Sequence, residues 1–180
     1  MFGFNQTLFW YNDLKDDLMK RIFAIFFLLI FSLNLLAEMP KFNSKVEKEL
    51  LKHFNLNSIN TQEIIELSGG NDLFLKTSNG EKELGIVVLT SAKGRYDMFD
   101  YMIIYNQNME IEFIKILVYR SEYGSEITAK RWLSQFYSRQ EDNLKYGSDI
   151  QAISGATFSA GSLTNNINRI NKILNEYKSD

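Results

Sequence analysis

The chain has 180 residues, a hydrophobic fraction of 45%, 14 Phe, 9 Tyr, 2 Trp, one Pro and a formal net charge of −2. That is enough apolar mass for a real core, and with no repeat or glycine-rich linker it points to one domain with a short extension and excludes a disordered chain. The near-neutral balance, with no basic cluster interleaved with aromatics, excludes a nucleic-acid groove; the lack of Cys excludes disulfides, a thiolate nucleophile and Fe–S clusters, and the single His53 cannot build a zinc site alone.

Residues Ile22 to Leu36 form an apolar run broken only by Ser32 and Asn34, preceded by Lys20-Arg21 and followed by Ala37-Glu38. This is the layout of a secretory signal peptide, and the run is shorter than the roughly 20 apolar residues a spanning helix needs. Residues 1–37 are therefore read as a signal with its start at Met19, and residues 38–180 as a single exported domain. An uncleaved anchor is the alternative.

Asn43-Ser44 is expected to cap a helix carrying Val46, Leu50, Leu51 and Phe54 on one face, with Lys and Glu opposite. His53 lies within it as a packing or surface residue. A second short helix is expected over Thr61 to Leu67, stopped by Ser68-Gly69-Gly70. From there the pattern becomes β-branched and aromatic at Leu73 to Lys76, Leu84 to Ala92, Met98 to Tyr105 and Glu110 to Tyr119, with turn residues between. Short connections imply antiparallel neighbours, and the imperfect alternation of Ile111, Phe113, Ile116 and Val118 implies a bulge.

Arg120 to Ser125 reads as a polar loop, Glu126 to Tyr137 as a short helix with an aromatic face, and Tyr146-Gly147-Ser148 as a turn. Leu163, Ile167, Ile170, Leu174 and Tyr177 recur at steps of 4, 3, 4 and 3, the mark of an amphipathic helix. The expected fold is α+β, an antiparallel sheet of about four or five strands flanked by helices. Ahead of the last helix, Ser154-Gly155-Ala156-Thr157-Phe158-Ser159 joins an apolar approach to a helix start. The free amides and hydroxyls of such a junction make an anion seat, although a plain helix cap has the same composition.

Ser154-Gly155-Ala156-Thr157 with Phe158-Ser159 resembles the attachment signature of the FMN-binding domain family, found in subunits of sodium-pumping and related respiratory complexes and in small exported flavoproteins. Further stretches are similar to the small exported members. They are Thr90 to Tyr96, Phe99-Asp100-Tyr101, the Tyr119 to Ile127 loop, Arg131-Trp132-Leu133-Ser134-Gln135-Phe136 and Ser162 to Asn165, together covering roughly residues 70 to 175. In that family the threonine matching Thr157 carries FMN through a phosphoester, attached by a separate extracytoplasmic flavin transferase. The family's motif usually has Asp where this chain has Gln151, which is neutral and cannot act as a base or anionic ligand. Asp149, two residues earlier, would share its face in an extended approach and partly compensate.

The resemblance implies that Ser154, Gly155, Ala156, Thr157 and Ser159 hold the flavin phosphate. It also implies that Glu122, Tyr123, Gly124, Ile127 and Trp132 lie on the ring side, with core packing the competing role for Trp132. The flavin-side loop is shorter than the family's and lacks its Thr-Pro pair. Arg95 and Arg120 are candidate cations for phosphate or carbonyl oxygens, with a solvated or salt-bridged arginine as the plainer reading. Asp97 and Asp100 are read as turn residues, and no residue is assigned catalysis or a metal. The implied function is an exported electron carrier, periplasmic or on the outer face of the inner membrane, exchanging electrons with membrane or soluble partners rather than turning over a substrate. The alternatives are a cofactor-free or non-covalent binding or assembly module, marked by Gln151, and an FMN-dependent reductase.

Overall fold

The computed structural model describes Met19 and residues 42–179. The expected signal peptide therefore lies, but for Met19, outside the described residues. Helix α1 spans Ser44–Phe54, capped by Asn43, whose side chain accepts from the amides of Lys45 and Val46. Asn55 in the left-handed conformation ends it, with Leu56 N bonded to Leu51 O.

Five strands follow: β1 (Asn60–Glu63), β2 (Leu73–Asn79), β3 (Lys82–Lys93), β4 (Met98–Tyr105) and β5 (Ile111–Tyr119). They form one antiparallel meander in the order β1-β2-β3-β4-β5. The register of β4 on β5 shifts twice, because Glu112 and Leu117 are extra residues on β5, so the expected bulge occurs at two places. After β5 come a 3₁₀ turn at Ser125–Thr128, the single helical turn α2 (Lys130–Leu133), a second 3₁₀ turn at Ser134–Phe136, and the long helix α3 (Thr157–Ser179). The helix expected over Glu126 to Tyr137 is thus three short turns. Among the described residues no helix is long and apolar enough to cross a membrane.

The expected helix over Thr61 to Leu67 is not formed. Asn60 to Glu63 instead pair with Ser78 to Leu75 as an edge strand, and Ile64 N bonds Phe74 O. The outward backbone groups of β2 need partners, and this demand outweighs the weak helical preference of a polar stretch whose Ile65 stays 80% exposed.

Burial explains why the central strands read as nearly continuous apolar runs. On one face Phe74, Ile86, Val88, Tyr101, Ile103 and Tyr105 pack with Leu163, Ile167, Ile170 and Leu174 of α3. On the other Leu75, Val87, Leu89, Met102 and Ile104 pack with Val46 and Leu50 of α1. The sheet is the middle of three layers, so both sets of alternating side chains are apolar. Each of the four α3 side chains contributes roughly 1.5–3 kcal/mol by leaving water, and together they hold the helix that carries the site described next.

Candidate functional site: a cleft at the start of the last helix

The approach to α3 is built residue by residue. The amides of Ser148, Asp149 and Ile150 all point at Lys145 O, while the Asp149 carboxylate accepts from Lys145 N at 2.8 Å. Asp149 therefore lies in a turn rather than in an extended approach, with one oxygen of its exposed carboxylate tied to Lys145 N. Ile150 is fully buried, and Tyr146 Oη accepts from Ile153 N at 3.1 Å. A turn at Ser154-Gly155 follows, with Gly155 at φ +84°, and α3 begins at Thr157. Ala156 is buried; Ser154, Gly155, Thr157 and Phe158 are exposed.

Two other segments complete a cleft of about 500 Å³ whose walls include Thr157, Phe158, Arg95 and Tyr123. That volume lies within the range of small-molecule sites. The loop after β5 is fixed by Tyr119, whose hydroxyl donates to Tyr123 O at 2.7 Å and lies 3.0 Å from Ser159 Oγ. A phenol has one hydrogen, so with it given to Tyr123 the Ser159 hydroxyl is the donor of the second bond. Gly124, at φ +88°, sits where a Cβ would come within 2.6 Å of the Tyr119 hydroxyl, so the loop approaches the helix as closely as a glycine allows. From the β3–β4 turn comes Arg95, its guanidinium 5.5 Å from the Tyr96 ring, which in turn lies 6.2 Å from Tyr123.

The electrostatics favour an anion near Thr157. Arg95 is the one formally charged residue on the cleft wall as described. The start of a long helix adds a partial positive charge, and Ala156 has no side-chain oxygen to cap the amides of Phe158 and Ser159. The Glu126 carboxylate lies against Gly155, 2.8 Å from where a Cβ on that glycine would stand, and opposes this preference at the edge of the turn.

Of the expected site residues, the cleft brings together Thr157, Gly155, Ala156, Ser159, Tyr123 and Gly124, with Arg95. Four are not on its wall. Ser154 and Glu122 are exposed beside it, Ile127 is fully buried beneath the loop, and Trp132 is 6% exposed with its ring edge-on to Phe136. Trp132 is thus a core residue here, its indole N–H spent on Gln151 O. Arg120 is paired with Asp100 and with Met98 O, and Asp100 is a strand residue bonded to Ser91 rather than a turn residue. Asp97 does sit in the β3–β4 turn, its carbonyl accepting from Gly94 N. His53 packs between Phe54 and Phe113 with its Nε2 3.2 Å from Glu112.

Sequence reasoning gave no role to Phe158, Tyr96 or Glu126, or to the Tyr119 hydroxyl. Their only signal was aromatic or acidic identity in the segments around Gly94, Gly124 and Gly155, and no periodicity marks such a residue. The fold and cleft define an α+β domain with a solvent-open, anion-compatible site at a helix start. The chain matches no protein-family model and no curated protein sequence.

Proposed function

We propose that the chain is an exported FMN-binding electron-transfer protein, with FMN joined to Thr157 by a phosphoester. The observation that carries this reading is the Thr157 hydroxyl, exposed on the first turn of α3 and on the wall of a cleft that also offers Arg95 and flat aromatic surface. The residues present fit the group. The amides at the start of α3 and Arg95 suit a phosphate, and Tyr123, Tyr96 and Phe158, exposed by 63%, 64% and 54%, suit a planar ring.

In loading, Thr157 Oγ gains a bond to phosphorus and loses its proton to a base. The leaving group of an activated flavin phosphate, supplied by the transferase, departs with the cleaved phosphorus–oxygen bond. Once bound, the flavin supplies the redox chemistry. Arg95 and the helix start would hold the remaining phosphate charge, while Tyr119 and Ser159 keep the loop and helix walls in register.

Full-length chain co-expressed for export with a flavin transferase should give a flavin-fluorescent band after denaturing electrophoresis, absent in Thr157→Ala. A colourless wild-type protein under those conditions sinks the reading. The second reading, a cofactor-free binding or assembly module, is favoured by the neutral side chain of Gln151. It predicts that colourless outcome, reversed in Gln151→Asp.

A further inference from the structure

The stretch Trp132 to Phe136 resembles a motif that the proposed function leaves without a role. Trp132 Nε1 donates to Gln151 O at 2.8 Å, Gln135 Oε1 accepts from Gln151 N at 2.8 Å, and Gln135 Nε2 donates to Trp132 O at 3.1 Å. The three bonds close a ring. Together the two side chains bond both the N–H and the C=O of one residue, which is what a neighbouring strand does in a sheet. No strand is there to do it, since residue 151 lies on an irregular approach six residues before Thr157. Both side chains are anchored on one short segment. Leu133 and Phe136 of that segment are buried in the core, so the ring ties residue 151 to the body of the domain.

Residue 151 therefore has two separate faces. Its main chain is held inward. Its side chain is exposed and bonds to nothing among the described residues. Downstream the hold continues through Ile153 N on Tyr146 and the buried Ala156, leaving the Ser154-Gly155 turn and Thr157 as the groups presented outward.

We infer that Trp132 and Gln135 are positioning residues of the Thr157 site, fixing the approach through the main chain of Gln151, and that the Gln151 side chain faces the maturation partner rather than the fold. This rests on the reading of Thr157 as the flavin attachment point. An amide in place of a carboxylate leaves the presented turn unchanged, because nothing among the described residues bonds to that side chain.

The test uses the full chain, exported with the transferase, in wild type, Gln135→Met, Gln135→Glu, Trp132→Phe and Gln151→Ala. Three quantities are read: the melting temperature, hydrogen exchange of the Gln151 amide, and the initial rate of flavin loading per folded molecule. Gln135→Met removes the acceptor, so exchange at Gln151 should quicken by about 10-fold or more and loading should slow by about 10- to 100-fold. Gln135→Glu keeps the acceptor for the Gln151 amide but loses the donor to Trp132 O, so exchange and loading should fall between those of Gln135→Met and wild type. Trp132→Phe, which keeps an aromatic in the core but loses the N–H, should slow loading as Gln135→Met does. Gln151→Ala should leave melting and exchange unchanged while slowing loading by about 10-fold, and loading at the wild-type rate overturns the role given to that side chain. Loading of Gln135→Met at the wild-type rate, with the Gln151 amide released, overturns the positioning role and leaves the attachment reading standing. A wild-type chain that takes no flavin overturns both.

Discussion

Around the middle of α3, Asn166 and Arg169 meet Asp72, Thr90 and Tyr101 in a closed network, whereas at its first turn Thr157 and Phe158 face solvent. Arg169 grips both Asp72 oxygens at 2.6 and 2.9 Å, Thr90 donates to Asp72 at 2.6 Å, and Asn166 reaches Thr90, Ser91 O and the Tyr101 hydroxyl. Among the described residues no buried side-chain nitrogen or oxygen lacks a partner. One helix thus divides two tasks. Its middle secures the docking of the helix on the sheet, and its start leaves Thr157 and Phe158 facing solvent.

The sharpest way to break that division is at Asp72. It is 8% exposed, and Asp72→Ala strands Thr90 and Arg169 together. Because the Arg169 side chain is 47% exposed and partly recovers water, the loss is set at about 2–3 kcal/mol, below that of a fully buried pair, and is read from urea unfolding. An unfolding midpoint within error of wild type would show the network to be dispensable.

A second probe is alkaline pH. Burial pushes the Tyr101 phenol well above its ordinary value and does the same to Tyr105. The unfolded phenol ionises near pH 10 while the folded one keeps its proton, so this stability is fully present below about pH 10 and is lost as pH rises toward the folded value. Each buried tyrosine should add a slope of about 1.4 kcal/mol per pH unit above that point. Tyr101→Phe should remove one such increment in pH-dependent denaturation. An unchanged slope would contradict the burial of its hydroxyl.

The smallest stability effect belongs to the open end. Thr157→Ala removes an exposed side chain and should shift the unfolding free energy by less than about 0.5 kcal/mol. A loss above about 1 kcal/mol would make Thr157 part of the fold and erase the contrast between the two regions of α3.

The parts legible in the sequence are those whose cause is local. Asn43 before an apolar stripe announces α1, the 4-3-4-3 spacing of Leu163 to Leu174 announces α3, and β-branched runs separated by turn residues announce four of the five strands. The fifth, Asn60 to Glu63, is polar throughout and exists because β2 has a free edge, which no residue within it encodes. The start of the last helix at Thr157 was readable from small residues ahead of an amphipathic period. What surrounds it was not, since Trp132 and Gln151 lie 19 residues apart and Asp72 and Arg169 lie 97 apart. Asp149 shows the opposite failure: the bonds to Lys145 O and N put it in a turn where the sequence suggested an extended approach.

The two bulges of β5 bear on self-association. An open meander has two free edges, and an even row of unpaired amides and carbonyls on either is a template for adding a strand from another molecule. On the β5 side, the insertions at Glu112 and Leu117 break that row, the Ile111 amide and carbonyl are bonded by Arg139 O and Ser138 N, and Leu117 O accepts from Lys45 Nζ. The far side offers four short polar residues, Asn60-Thr61-Gln62-Glu63, ending in a charge. Neither border is an even apolar ladder, so a domain with this much aromatic content is guarded against edge-to-edge aggregation by interruptions in its outermost strands.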